Sequence, residues 1–349
     1  MNSKALHVME PDELATSREE GPAPRPFDPT LLLEEGLAAA ALAMEDYRAV
    51  VRHCSHIVQV CPNHFEAWFN LGVARQQTGE IEEAIFSYHQ AARLSPGDAR
   101  PWINLGIARH AVDDTEGARE AYRSALDLDP AQPQALWNLA VILENSGARA
   151  EAMALYARTA AARPDWPEAW FRLGALRMEG GDRAGALAAF RECLELKPDF
   201  QQAALNAAIC MKDTGDPEGA RALLEEVLEQ DPDSTDALRA AAAVCVECGD
   251  WKFGLAVRRK LAERRQSLPE LTFNLALAAD EQGHDDDAVR LYCEALRENP
   301  RFASALLNLG HVLARQGKAP EANECWRRAI ALDGSLARGY FGSGQGDPS

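Results

Sequence analysis

Residues 65–98, FEAWFNLGVARQQTGEIEEAIFSYHQAARLSPGD, recur in altered form along most of the chain. Blocks of 34 residues, without insertion or deletion, start at positions 31, 65, 99, 133, 167, 201, 235, 269 and 303. Position 8 of the block is Gly or Ala in all nine blocks. A fixed period of this length is typical of repeat proteins, in which each unit packs only on its neighbours. We therefore expect one continuous solenoid instead of the two or three globular domains that the chain length would otherwise suggest.

Each block is predicted to form two helices, helix A over roughly positions 1–14 and helix B over roughly positions 18–31. Gly at position 15 ends helix A because Gly adopts the left-handed conformation at little steric cost. Pro at position 32 ends helix B because the residue before a proline resists the helical conformation. Small residues at positions 8 and 20 let the two helices approach closely. The glycines are Gly79, Gly147, Gly181, Gly215, Gly249, Gly283 and Gly317, and the prolines are Pro62, Pro96, Pro130, Pro164, Pro198, Pro232 and Pro300.

The block at 65–98 carries a resemblance to a known family. The residues that match the family's signature are Trp68, Leu71, Gly72, Ala84, Tyr88, Ala91 and Pro96. On these residues the chain resembles the tetratricopeptide repeat (TPR) proteins over residues 31–336. The resemblance implies an all-α, right-handed superhelical α-solenoid of nine helix-turn-helix repeats. One departure recurs, because position 11, usually Tyr in the family, is Arg75, Arg109 and Arg177 in three blocks.

The groove of such a superhelix is its expected working surface. The resemblance implies that helix A lines the groove through positions 2, 5, 6, 9, 12 and 13, as in the repeat region of O-GlcNAc transferases, although we see no transferase domain. Position 6 is Asn in six blocks, and Asn is a poor residue inside a helix. A carboxamide can pair with both halves of a peptide unit, so these residues could hold the main chain of a bound peptide. Alternatively, they bond the neighbouring repeat. The six are Asn70, Asn104, Asn138, Asn206, Asn274 and Asn308.

Large apolar residues at position 5 stand beside this Asn column. Phe69, Trp137, Phe171 and Phe273 are candidate anchor sites for a peptide, or they pack on the next helix. Toward the C-terminal half the groove positions are acidic, which favours a basic or neutral ligand end, unless this face is simply solvated. The acidic residues are Asp213, Asp236, Glu247, Glu270, Asp280 and Glu281, and the nearby cations are Lys212, Arg239 and Arg315.

Composition narrows the classes of function. The net charge of −18 argues against nucleic-acid binding, which needs a basic face. No apolar run is long enough for a membrane span, and the N-terminal residues lack an apolar signal core. Eight cysteines without framework spacing indicate reduced thiols and a cytoplasmic location. We expect residues 1–30 to be a disordered arm and residues 337–349 a flexible tail.

Several motifs are better explained by packing than by chemistry. Cys245 and Cys248 form a single C-x-x-C without the second pair that a zinc site needs. His53, His56 and His64 cluster with two cysteines, but Cys54 occupies a packing position, so we expect no metal site. We find no catalytic motif, and we expect neither an enzyme nor a cofactor. The block at 235–268 departs most from the others. It is either a degenerate repeat whose basic helix pairs with its acidic neighbour, or a softened joint, or a second contact patch on the outer face.

Together these observations predict an adaptor that binds an extended peptide or a partner helix in the concave groove. Two other roles stay open at this stage. The array could be a self-assembling scaffold, or it could present substrates to a separate enzyme.

Overall fold

The computed structural model describes residues 29–264 and 268–335, which form 18 α-helices. The chain divides into two compact units with a boundary after Leu176, inside helix α9. The terminal segments predicted to be disordered lie almost entirely outside the described residues, and so does part of the divergent block at 265–267.

The N-terminal unit contains four complete helix pairs and the beginning of a fifth. Its helices are α1 (Pro29–Ala43), α2 (Tyr47–Val60), α3 (Phe65–Thr78), α4 (Ile81–Leu94), α5 (Ala99–Ala111), α6 (Thr115–Leu128), α7 (Pro133–Asn145), α8 (Arg149–Ala162) and α9 (Pro167–Glu179), which crosses the boundary. Successive helices pack on each other from α1 to α7, and α7 packs on α8. Helix α5 also contacts α3 and α7. The first helices of these repeats therefore form one layer.

The C-terminal unit repeats the same arrangement. Its helices after α9 are α10 (Arg183–Leu196), α11 (Gln201–Asp213), α12 (Pro217–Gln230), α13 (Thr235–Cys248), α14 (Trp251–Glu263), α15 (Pro269–Glu281), α16 (Asp285–Glu298), α17 (Ala303–Arg315) and α18 (Ala319–Leu332). Helices α11, α13, α15 and α17 contact one another in sequence, so they too form a layer. The predicted all-α solenoid is confirmed.

The predicted end of helix A is confirmed in every described repeat. All seven position-15 glycines have positive φ, between 67° and 90°. In the two blocks without Gly, Glu45 and Asp113 take the same conformation, with φ of 56° and 62°. Helix B begins one residue before the predicted start, as α4 does at Ile81. The reason is visible in five repeats, where an Asp at position 16 accepts a hydrogen bond from a backbone N–H of the first turn and caps the helix. These caps are Asp46, Asp114, Asp182, Asp216 and Asp250.

In three repeats the core includes a close contact between Gly at position 8 on helix A and an aromatic ring at position 24 on helix B. A Cβ added to Gly72 would lie 2.6 Å from the Tyr88 ring, and one added to Gly106 would lie 2.5 Å from the Tyr122 ring. Both tyrosines are fully buried. Close packing of this kind is what the small residues at position 8 permit.

Adjacent repeats are joined by a recurring hydrogen bond that the sequence pattern did not indicate. The indole nitrogen of Trp68 donates to the carbonyl oxygen of Pro62 at 2.8 Å. Trp170 and Pro164 form the same bond at 2.9 Å. The position-32 proline therefore stops helix B and also accepts a bond from position 4 of the next repeat.

The divergent repeat, α13 and α14, is held by ion pairs. Arg258 replaces the position-24 aromatic residue and bonds Glu294 and Glu298 of α16. Arg264 pairs with Asp233 at 2.6 Å. The basic helix α14 thus pairs with the acidic helix that follows it, α16, and no ion pair of the described residues joins it to the preceding acidic helix α12. The pair on the preceding side joins Arg264, just after α14, to Asp233 in the loop after α12.

Candidate functional site

Position 6, the Asn column, lies on the side of helix A that is turned away from helix B. Position 8 faces helix B, as the contact between Gly72 and Tyr88 shows. Successive residues of an α-helix rotate by about 100°, so position 6 lies about 200° from position 8. In each unit this side belongs to the layer of helices A described above. The geometry can present a column of carboxamides to a ligand.

The six asparagines are not equally accessible. Asn70, Asn206 and Asn274 are half-buried, and their side chains make no hydrogen bond with any described residue. Asn308 is also half-buried. Asn104 and Asn138 are buried, with 4% and 0% of their surface exposed. The Asn104 Oδ1 atom has no hydrogen-bond partner. In the N-terminal unit, only Asn70 of the predicted column has a side chain that solvent reaches to a substantial extent.

Tyrosine hydroxyls at position 24 approach the Asn column from the preceding repeat. The Asn308 carboxamide lies beside the Tyr292 hydroxyl, and the Asn138 carboxamide lies beside the Tyr122 hydroxyl. Burial raises the pKa of both tyrosines, and the neighbouring carboxamides offset that rise only in part. These two asparagines therefore lie next to tyrosines of the neighbouring repeat, although the Tyr122 hydroxyl has no hydrogen-bond partner among the described residues.

Three tyrosines at position 24 donate hydrogen bonds to position 12 of their own helix A. These bonds join Tyr88 to Gln76 (2.8 Å), Tyr156 to Glu144 (2.8 Å) and Tyr292 to Asp280 (3.5 Å). Sequence reasoning treated the tyrosines as core residues alone. The sequence does contain a signal for these hydrogen bonds, because a polar acceptor stands twelve residues before each of the three tyrosines.

The apolar residues at position 5 also fall into two groups. Phe69 is fully buried and packs on Tyr88, with ring centroids 6.1 Å apart. Trp137 is 7% exposed and lies 4.7 Å from Trp166 between ring centroids. These two side chains fill the interior of their repeats, so a ligand could reach them only after a rearrangement. Phe171 and Phe273 are half-buried, and they keep part of their surface accessible.

Sequence models of the tetratricopeptide repeat match the chain at residues 65–98, 109–176, 177–251 and 273–341, which together make up more than half of its length. The chain is a tetratricopeptide repeat protein. As a TPR protein it is a protein-interaction scaffold, because solenoids of this kind present extended surfaces to other polypeptides.

Several solved structures are similar to this TPR protein. MamA is 22% identical, with a TM-score of 0.44 over 48% of this chain and 92% of that chain. YrrB, described as a TPR protein with an unusual peptide-binding site, is 20% identical, with a TM-score of 0.47 over 54% of this chain and 96% of its own. A tetratricopeptide repeat protein from Parabacteroides merdae is 17% identical, with a TM-score of 0.44 over 76% and 98% of the two chains.

Ion pairs neutralise about half of the acidic groove residues in the C-terminal unit. Lys212 bonds Glu247 at 2.9 Å and Asp213 at 3.0 Å, and these bonds raise its pKa. Arg315 bonds Asp280 and also Asp285. Three of the predicted acidic residues form no ion pair with any described residue: Asp236, Glu270 and Glu281. Arg239 is an exposed cation without an ion pair in the same part of the chain.

Two histidines of the first repeat have local partners, and a buried cysteine lies in the same repeat. His53 and His64 bond Glu34 and Glu35 at 2.6 and 2.7 Å. Burial raises the pKa of the Cys54 thiol to about 12. In the residues that the structure describes, no group of His, Cys, Asp and Glu has the arrangement of a metal site. No described helix combines the length and apolar character of a membrane span.

Proposed function

We propose that the TPR array is an adaptor whose helix A face in the C-terminal unit binds an extended peptide. The observation that carries this proposal is the state of Asn206 and Asn274. Both carboxamides are half-buried, and neither has a hydrogen-bond partner in the described chain. Asn costs several tenths of a kcal/mol relative to Ala inside a helix. A ligand that bonds these groups supplies a reason for residues that helix stability alone disfavours.

The proposed contact is to the peptide main chain. Each carboxamide offers one carbonyl acceptor and an NH2 donor, which match the N–H and C=O of a peptide unit. The Asn308 carboxamide lies beside the Tyr292 hydroxyl, which restricts its orientation before a ligand arrives. Preorganised groups lose less entropy on binding. Ala240 interrupts the column between Asn206 and Asn274, which divides the contact into two parts.

Apolar and acidic residues beside the column would set the preference for side chains. Phe273 lies 4.8 Å from Phe302 between ring centroids, and its half-exposed ring offers an apolar surface to a peptide side chain. Asp236 and Glu270 occupy position 2 of the neighbouring helices α13 and α15, and both are exposed. We therefore expect a peptide that combines an apolar residue with a Lys or Arg.

The N-terminal unit would contribute less to peptide binding in the described conformation. Asn70 is its one half-buried carboxamide at position 6, and Phe171 is its half-buried position-5 aromatic residue. Contacts of Asn104, Asn138, Phe69 and Trp137 with a peptide stay predictions that require these buried side chains to become accessible.

The test selects peptides for the full chain from a random phage-displayed library and measures their affinity by fluorescence polarisation. The variant is Asn206→Ala, Asn274→Ala, Asn308→Ala. Each lost hydrogen bond is worth about 0.5–1.5 kcal/mol, so the dissociation constant should rise roughly 10- to 1,000-fold. The control is Glu192→Ala, Glu226→Ala, Asn323→Ala, three exposed residues on the helices B of the same unit, and it should bind like the wild type.

A second measurement separates main-chain from side-chain recognition. N-methylation of alternate residues in a selected peptide removes N–H donors and leaves every side chain in place. We expect affinity for the wild type to fall and affinity for the triple Asn variant to change little. Equal loss with both proteins, or unchanged affinity in the triple variant, would contradict the proposal.

A further inference from the structure

From Leu32 to Met44, the outer face of α1 is exposed and apolar. Leu33 is 63% exposed, Leu37 is 41% exposed and Met44, just after the helix, is 79% exposed. We define the α1 face as Leu32, Leu33, Gly36, Leu37, Ala39, Ala40, Ala43 and Met44, all of them exposed. The two charged residues of α1, Glu34 and Glu35, bond His53 and His64 and do not belong to this face.

Among the described residues no repeat precedes α1, and an apolar face is unusual in that position. Terminal repeats need a polar outer surface, because no neighbouring repeat covers them. The other exposed large apolar residues of the N-terminal unit lie on separate helices or after them: Val60, Phe86, Val112 and Leu128. Isolated apolar residues are normal on protein surfaces, whereas a contiguous apolar patch marks an interaction site.

The spacing on the α1 face suits a second helix. Leu33, Leu37, Ala40 and Met44 follow one another at intervals of four, three and four residues, which forms a straight seam along the helix. In an antiparallel pair about a two-fold axis, Leu33 would lie opposite the partner's Met44, and Leu37 opposite the partner's Ala40. The second pairing places a large residue against a small one, as close packing requires.

We propose that the α1 face docks against the same face of a second copy of this chain, forming an antiparallel helix pair. Charge supports this occupant. With a net charge of −18, two copies repel each other, and their approach is least unfavourable where the surface carries no charge. The α1 face carries none. A C2 contact uses one self-complementary patch on both subunits, which matches the pairing above.

The preceding residues of the chain are a poorer match for this face. Residues 19–28, EEGPAPRPFD, lead directly into α1 and contain three prolines and three carboxylates. A proline-rich sequence is unsuited to a regular helix along the seam, and carboxylates lose hydration on an apolar surface. A 15-residue helix is about 22 Å long, so the interface is small and the dimer is weak.

Sedimentation velocity of the full chain over a concentration series from micromolar to several hundred micromolar tests the proposal. We expect the mean mass of the wild type to rise toward twice the monomer mass. Leu33→Glu with Leu37→Glu places four carboxylates in the apolar contact of each dimer, so the dissociation constant should rise at least a hundredfold. The matched control is Val112→Glu with Leu128→Glu, residues 38% and 40% exposed, and it should leave dimerisation unchanged.

Photo-crosslinking directly identifies the polypeptide segment that packs on the α1 face. Benzoylphenylalanine in place of Leu33, in the full chain, should yield a covalent dimer whose linked peptides both come from α1 and Met44. A crosslink within one chain to residues 1–28 would overturn the proposal, because it would show that the N-terminal segment covers the face. A wild type that stays monomeric throughout the concentration series would overturn it as well. Circular dichroism checks that each variant keeps its helix content.

Discussion

Arg258 is the residue whose removal should most clearly change the divergent repeat. Its Nε donates to Thr272 Oγ1 at 2.6 Å, and its two terminal nitrogens donate to Glu294 at 2.8 Å and Glu298 at 2.5 Å. One guanidinium therefore joins α14 to α15 and α16. In six other repeats an aromatic residue occupies this position, so Arg258 replaces apolar packing with charge-assisted bonds.

The magnitude follows from the burial of the ion pairs. The side chains of Arg258, Glu294 and Glu298 are 20%, 27% and 23% exposed. A hydrogen bond to a charged group contributes about 1.5–3 kcal/mol, and partial exposure reduces that value through solvent screening. Arg258→Met keeps an apolar side chain of similar length but leaves two carboxylates without this cation. We expect the free energy of local unfolding to fall by about 2–3 kcal/mol.

Hydrogen exchange followed by mass spectrometry measures this change repeat by repeat, which suits an array that does not unfold in one step. Amides of α14, α15 and α16 should exchange roughly 30- to 150-fold faster in Arg258→Met, whereas those of α3–α6 should not change. Adding Glu294→Gln and Glu298→Gln should restore most of the protection, because the uncompensated charges are gone. Unchanged exchange in the single variant, or no recovery in the triple variant, would refute the reasoning.

Two further predictions concern buried thiols and a helix end. Burial raises the pKa of the Cys54 and Cys245 thiols from 9.0 to about 12, so their protonated forms stabilise the folded state below pH 9. That contribution should be lost as the pH rises from about 9 to 12. The free energy of unfolding, measured with urea, should therefore fall more steeply with pH in the wild type than in a variant with both cysteines replaced by Ala. Gly79→Ala should cost about 1–2 kcal/mol, because φ is 86° there. Gly97→Ala, where an added Cβ meets no atom within 4 Å, should cost much less in the same assay.

The helix pairs could be predicted from the 34-residue period because the period reflects contacts that recur from repeat to repeat. Gly at position 15, as at Gly79, needs only its own backbone conformation to end a helix. The small residue at position 8 needs only the facing ring of the same repeat, as Gly106 needs Tyr122. Both interactions are local, so the sequence pattern predicts them correctly. The sequence shows that Arg258 stands where other repeats have an aromatic residue, but it does not show which residues of α16 Arg258 contacts.

Only the tertiary structure decided which members of the Asn column face solvent. Sequence position places every one of these residues on the same side of helix A, yet Asn138 is fully buried and Asn206 is half-exposed. Helical periodicity defines a direction around one helix, whereas burial depends on how closely neighbouring repeats approach and on the size of their side chains. The apolar face of α1 likewise looks like any core-facing pattern in the sequence, since a period cannot show whether a neighbour is present to cover it.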